Sequence, residues 1–239
     1  MTRFFAFTIA LPVCLLAQVR VPFVGCNSDG QVGPLAAPAG VDQLVQIDAG
    51  VAGNLAYYKA ENDSGVLAPR GWYCFGVYGS NGASVFVTPE PIRRDDLFSD
   101  KWRGFPGPAI QASSLSGETS GRFSVAREMA RVFPKYRAFV ERVIAEGFEP
   151  ASDFPFGPYP GDRLVYKSDQ MVEFQTPANS EGLGTMSRLQ KNGQPIHGVS
   201  ILEGETPDLL RLTVRLPETM KALRAAILQD FENESASQH

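Results

Sequence analysis

The chain has 239 residues, with 22 basic against 26 acidic side chains and a formal net charge of −4. That balance argues against nucleic acid as a partner, because counterion release at phosphates supplies most of such an affinity and needs a basic excess or a dense basic cluster. With 23 Gly and 18 Pro, the expected object is compact and rich in loops, and its length allows one or two domains.

Residues 1–17 read MTRFFAFTIALPVCLLA, with a cation at Arg3, an apolar run from Phe4 to Leu16, and small Ala17 before polar Gln18. This is the layout of a secretory signal peptide. The run is shorter than the ~20 residues a helix needs to cross a bilayer, and no later segment reads as a transmembrane span. Removal after Ala17 would leave Cys26 and Cys74 as the only cysteines. Two thiols in an oxidising compartment most simply form one disulfide. Closing a loop of about fifty residues, it would stabilise by about 4 kcal/mol in the chain-entropy picture. A nucleophilic Cys74 is the poorer reading, since GWYCFG surrounds it with apolar aromatics and offers no base. The expected location is therefore periplasmic or secreted.

From Gln18 to Gly117 the pattern is of short strands separated by turn residues: Val19 to Val24, Leu44 to Asp48, Leu55 to Ala60, Trp72 to Tyr78 and Ser84 to Thr88. Ser80-Asn81-Gly82-Ala83 between the last two is a hairpin signal, because Asn-Gly tolerates the positive φ of a tight primed turn. Helical spacing runs from Arg122 to Glu146, with Phe123, Ala126, Ala130, Phe133, Phe139, Val140 and Val143 on one stripe. Pro134 predicts a kink or two abutting helices. Arg127, Arg131, Arg137 and Arg142 fall mostly on the opposite face, which reads as solvated. The segment 148–161, FEPASDFPFGPYPG, reads as a packed connection and is where a boundary between two domains would fall.

The last third alternates. Arg163 to Lys167, Met171 to Thr176, Ile196 to Leu202 and Leu209 to Leu216 read as strands, and Lys191-Asn192-Gly193-Gln194 as another hairpin turn. Leu210, Leu212, Val214 and Leu216 face a core, while Arg211, Thr213 and Arg215 face water. A closing helix follows Pro217, with Met220, Leu223, Ile227 and Phe231 buried, and residues 232–239 read as a disordered tail. The predicted fold class is α+β, with antiparallel sheets and both a long kinked helix and a C-terminal helix packed on one face. The predicted organisation is a single domain over 18–231.

The segments VPFVGC, APRGWYCFGVYGSNG and TPANSEGLGTMS together resemble a group of uncharacterised bacterial exported proteins that has no assigned activity. The resemblance implies bacterial export and carries no catalytic residue with it.

Chemistry-bearing patterns are few. His197 and His239 are the only histidines, so neither a histidine triad nor a zinc cluster is expected. His197 lies on a strand beside apolar alternates and reads as structural. No nucleophile elbow and no phosphate loop occurs, and no cofactor is implied. The most distinctive stretch is TPANSEGLGT over 176–185, whose Gly-x-Gly either lets backbone amides approach a ligand or makes a sharp bend. Ser180, Glu181, Gly182, Gly184 and Thr185, with outward Arg211 and Arg215, are the candidate binding residues. The expected function is an exported envelope or periplasmic protein with a binding or structural role, its partner an unidentified envelope component or small ligand, and no catalytic or metal site. The alternative is a hydrolase of an envelope or extracellular substrate, built from carboxylates around Glu173 and Glu181 with Ser180 or His197.

Overall fold

The computed structural model describes residues 17–61 and 65–236. The leader expected over 1–17 falls outside this range but for Ala17, as do residues 237–239. The N-terminal part contributes β1 (Ala17–Val21), β2 (Phe23–Gly25), β3 (Ser28–Gly30), β4 (Gln43–Ile47), α1 (Ala49–Ala52), β5 (Leu55–Lys59) and β6 (Val66–Pro69). The middle adds β7 (Tyr73–Gly79), β8 (Gly82–Thr88), α2 (Arg94–Leu97), β9 (Ala109–Leu115), α3 (Arg122–Val132) and α4 (Arg137–Ala145). The last third supplies β10 (Arg163–Tyr166), β11 (Met171–Thr176), β12 (Ile196–Glu203), β13 (Asp208–Arg215) and α5 (Lys221–Ala236).

Eight strands form one sheet in the order β10-β11-β12-β13-β9-β8-β7-β3, antiparallel throughout except for β3 beside β7. The α+β class follows from this sheet and its helices. A three-stranded sheet β2-β5-β6 and a β1–β4 pair complete the strands. The β7–β8 hairpin closes over Ser80-Asn81 as expected, but Asn81 keeps a negative φ and it is Gly82 that takes φ +131°. Asn192-Gly193 does not form a hairpin turn. Instead β11 and β12 pair directly from Thr176 opposite Ile196, and the whole 177–195 segment loops out between them.

Alternation divides the sheet into two faces. Val85, Val87, Ile110, Ala112, Val199, Ile201, Leu212 and Val214 lie on one, packed with Ala226, Ile227 and Phe231 of α5 and with residues of the smaller sheets. Val172, Phe174, Leu202 and Leu209 lie on the other, under Val125, Met129, Phe133, Phe139 and Val140 of α3 and α4. Thus α5 and the α3–α4 pair take opposite faces. Proline lacks the amide and clashes with the preceding turn, so α3 ends at Val132, a 3-10 turn covers Pro134–Tyr136, and α4 restarts at Arg137. Pro217 caps a further 3-10 turn, Glu218–Met220, and α5 begins after it and runs on to Ala236, into the stretch read as a tail.

The arginine face of α3–α4 is not simply solvated. Residues 148–161 fold back over it: Arg131 lies 4.0 Å over the Tyr159 ring, Arg137 lies 4.1 Å over Phe156, and Arg127 pairs with Glu149. Gly157 closes the contact, donating its N–H to Ala130 O at 2.9 Å while its own carbonyl accepts from Arg131 at 3.2 Å. Each guanidinium on an aromatic face adds on the order of 0.5–1 kcal/mol, so the connection is held by the charges expected to point into water.

Cys26 and Cys74 are bonded, with Cα atoms 5.4 Å apart. Cys26 follows β2 and Cys74 lies within β7, so the bridge ties the three-stranded sheet to the main one. Among the described residues, no helix is long and apolar enough to cross a membrane.

Candidate functional site

The α3 face of the main sheet carries a polar row. Cross-strand partners run Ser84–Ser113–Arg211–Ser200 over β8, β9, β13 and β12, and beside them lie Phe86, Gln111 and Thr213. Arg211, Thr213 and Arg215 do occupy the polar face, but they are only 7%, 0% and 0% exposed. Their expected contact with water is overturned because α3 and the loops before β9 and β12 cover this side. Part of the row becomes the floor of a cleft of about 580 Å³, within the range of small-molecule sites. Its walls are Ser124 and Arg127 of α3, Tyr159 of the returning loop, and Met186, Ser187 and Arg188 of the 177–195 segment.

Each floor group is held by a specific partner. Gln111 donates from Nε2 to Ser113 Oγ at 2.9 Å and accepts the Arg188 backbone N–H at 2.8 Å. The Ser84 and Ser113 hydroxyls are 2.8 Å apart. Arg211 donates from Nη1 to Glu128 Oε2 at 2.8 Å and from Nη2 to Met186 O at 3.3 Å, while Glu128 also accepts from the Ser200 hydroxyl. Glu128 is wholly buried. The Nε of Arg211 is buried without any acceptor, a cost of about 1–3 kcal/mol for an unmade bond. Arg211 is thus a cation fixed from behind by a buried carboxylate.

Arg215 has another task. Its guanidinium donates to the carbonyls of Phe105, Gly107 and Gln190, at 2.6 Å to Phe105 and 2.9 Å from Nε to Gly107. It thereby clamps two loops that also pair through backbone, Phe105 N to Arg188 O at 2.7 Å and Gln190 N to Phe105 O at 3.0 Å. Arg215 positions the segment that bears Arg188 and does not reach the cleft.

The 176–185 loop closes on itself. Asp162 accepts the Leu183 amide at 2.8 Å and the Thr176 hydroxyl at 2.8 Å, Thr176 accepts the Gly184 amide at 2.9 Å, and Thr185 accepts that of Gly182 at 3.0 Å. The anion that this Gly-rich bend cradles is the chain's own Asp162. Both glycines are dictated by close approach, since a Cβ on Gly182 would sit 2.1 Å from Asp162 Oδ1 and one on Gly184 2.6 Å from Ile196 Cβ. Glu181 accepts from Thr185 at 3.0 Å and pairs with Lys191 at 2.6 Å, which holds its carboxyl below the usual range. Ser180 donates to Ala178 O at 3.4 Å. Of the candidate binding residues, only Arg211 lines the cleft.

The residues named for a hydrolase are not brought together; no hydrogen bond joins any two of Glu173, Ser180, Glu181 and His197. Glu173 lies on the α5 face, where burial opposes its charge but hydrogen bonds from Glu232 and Lys167 outweigh it and keep its pKa low. Burial and Glu173 push Glu232 up to about 7. The two carboxyls share a hydrogen bond. His197 is pushed down to about 4 by burial and by Arg224, so it is neutral at neutral pH. Among the described residues, no group of three His, Cys, Asp or Glu is placed to hold a metal ion.

The cleft was only partly readable beforehand. Arg211 is visible as part of the polar face of β13, but Ser84 of β8, Gln111 and Ser113 of β9, Arg127 of α3 and Arg188 of the 177–195 segment share no motif. No protein-family model, curated protein or solved structure matches the chain.

Proposed function

We propose that the chain is exported, loses its first seventeen residues, and acts outside the cytoplasm by binding a small polar ligand in the cleft, without catalysis of its own. One observation carries the binding reading. The cleft lining holds three arginines, Arg127, Arg188 and Arg211, with four serines and no carboxylate, in a chain whose net charge is −4. Such a local reversal of sign, with Arg211 braced by buried Glu128, concentrates an anionic ligand and pre-orients a donor toward it. Export is supported by the leader pattern and by the Cys26–Cys74 bond.

Both halves are tested on the protein recovered from the envelope or medium of a bacterial host. Its intact mass, with and without reductant and alkylation, is expected to show a chain beginning at Gln18 with no free thiol; a product retaining Met1 would overturn export. Thermal unfolding is then followed against a panel of neutral sugars, sugar acids, dicarboxylates, amino acids, phosphate esters and inorganic phosphate. A ligand of the cleft raises the midpoint of the parent by mass action and leaves Ser124→Phe, which fills the wall, unshifted. No response across the panel, or an equal response in the filled variant, would overturn the binding role.

A further inference from the structure

We infer that the ligand of the cleft is a small polyhydroxylated monocarboxylate, a sugar acid by chemical class. The inference rests on the binding role proposed above and adds the identity of what is bound. Charge decides the first half. Arg127 is paired with Glu149 and Arg211 with Glu128. Arg188 instead lies 5.6 Å over the Trp102 ring and has no ion-pair partner among the described residues. The three guanidiniums thus leave one uncompensated positive charge, which one carboxylate neutralises. A doubly charged phosphate ester or a dicarboxylate would carry a second charge toward Glu128, with no further cation to answer it.

Hydrogen-bonding type decides the second half. Ser84, Ser113, Ser124 and Ser187 line the cleft together with Asn81 and Gln111. A serine hydroxyl offers one donor and two acceptors, so the Ser84–Ser113 pair retains capacity beyond its mutual bond. Groups that both donate and accept match ligand hydroxyls, which do the same. Leu115, Met186 and Tyr159 present apolar surface to the C–H face of a ring. Arg211, held by Glu128 and the Met186 carbonyl, keeps a fixed positive charge under the inner end. Arg188, exposed at the rim, takes the carboxylate.

Trp102 reports on this directly, because an anion drawn to Arg188 changes the charge over its ring. The disulfide-bonded full chain carrying Trp72→Phe is titrated with glucuronate, galacturonate, gluconate and a trigalacturonate, and in parallel with glucose, glucose 6-phosphate and succinate. Trp102 emission is the signal and calorimetry confirms it. The monocarboxylates are expected to bind at least about tenfold more tightly than glucose, and Arg188→Gln to remove that preference. Tighter binding of trigalacturonate, which brings two further carboxylates, than of galacturonate would overturn the single-charge reading, and weaker binding supports a free sugar acid. Glucose 6-phosphate or succinate binding more tightly than every monocarboxylate, or glucose equalling glucuronate, would overturn the class while leaving the cleft a ligand site. Sugar-acid binding that survives both Arg188→Gln and Ser124→Phe would place the ligand elsewhere and overturn both readings. Silence from all seven probes overturns the sugar-acid class alone, and the thermal panel decides the cleft independently.

Discussion

Asp230 is a carboxyl in the wrong medium. It lies on α5 and is only 5% exposed. Burial, reinforced by nearby Glu234, lifts its pKa from 3.8 to about 7. Below about pH 4 the folded and unfolded chains both hold this proton. As pH rises toward 7 the unfolded chain releases it and the folded chain keeps it, so stability falls with rising pH through this window and the loss is complete above about 7. The full effect is on the order of 4 kcal/mol, of which roughly half accrues between pH 5 and pH 8. Asp230→Asn keeps the volume and removes the titration. The comparison is made between variant and parent at each pH, because His197, pushed down to about 4, runs the other way: the stability it contributes is present above about 6.5 and is lost as pH falls toward 4. Urea midpoints measured at half-unit steps from pH 4 to pH 8.5 are expected to show the advantage of the variant growing by about 2–3 kcal/mol between pH 5 and pH 8. A constant difference across that range, or a variant weaker than its parent at pH 8, would refute the reasoning.

Glu128→Gln strands Arg211 in the interior and is expected to cost about 3 kcal/mol in urea unfolding, whereas Glu128→Leu with Arg211→Met recovers most of that stability but binds no ligand in the cleft. A single variant within 1 kcal/mol of its parent would show that the pair is dispensable (~1 kcal/mol being the scale of an ordinary substitution). Replacing Cys26 and Cys74 by alanine removes a link spanning 48 residues and should lower stability by about 4 kcal/mol. Hydrogen exchange should then accelerate first in the β2-β5-β6 sheet, and uniform acceleration would argue that the bridge does not anchor that sheet in particular.

Local pattern was enough for much of the architecture. The alternation in Met171–Thr176 marks β11 at its observed ends, and the apolar stripe from Ala126 to Val143 is the buried face of α3 and α4. Pro134 breaks that stripe because a missing amide and a ring clash act within one turn, wherever the segment packs. The two cysteines could be paired because only two remained. β9 was not legible: AIQASSL is rich in serine and resembles a loop, yet it becomes an interior strand because β8 and β13 both offer it a hydrogen-bonding edge.

What the chain alone determined about β13 is that its two faces differ. Alternation records a difference in polarity between faces and is blind to what lies over each, so Arg211, Thr213 and Arg215 read as wet. Only the tertiary structure decided that α3 and two loops would close over them, turning one arginine into a clamp and another into the floor of a cleft. Glu128, which fixes Arg211, stands 83 residues away in the chain and within a helix where an acidic residue is ordinarily solvated. Packing made that carboxylate a buried partner, and long-range packing of this kind leaves no local signature in composition or spacing.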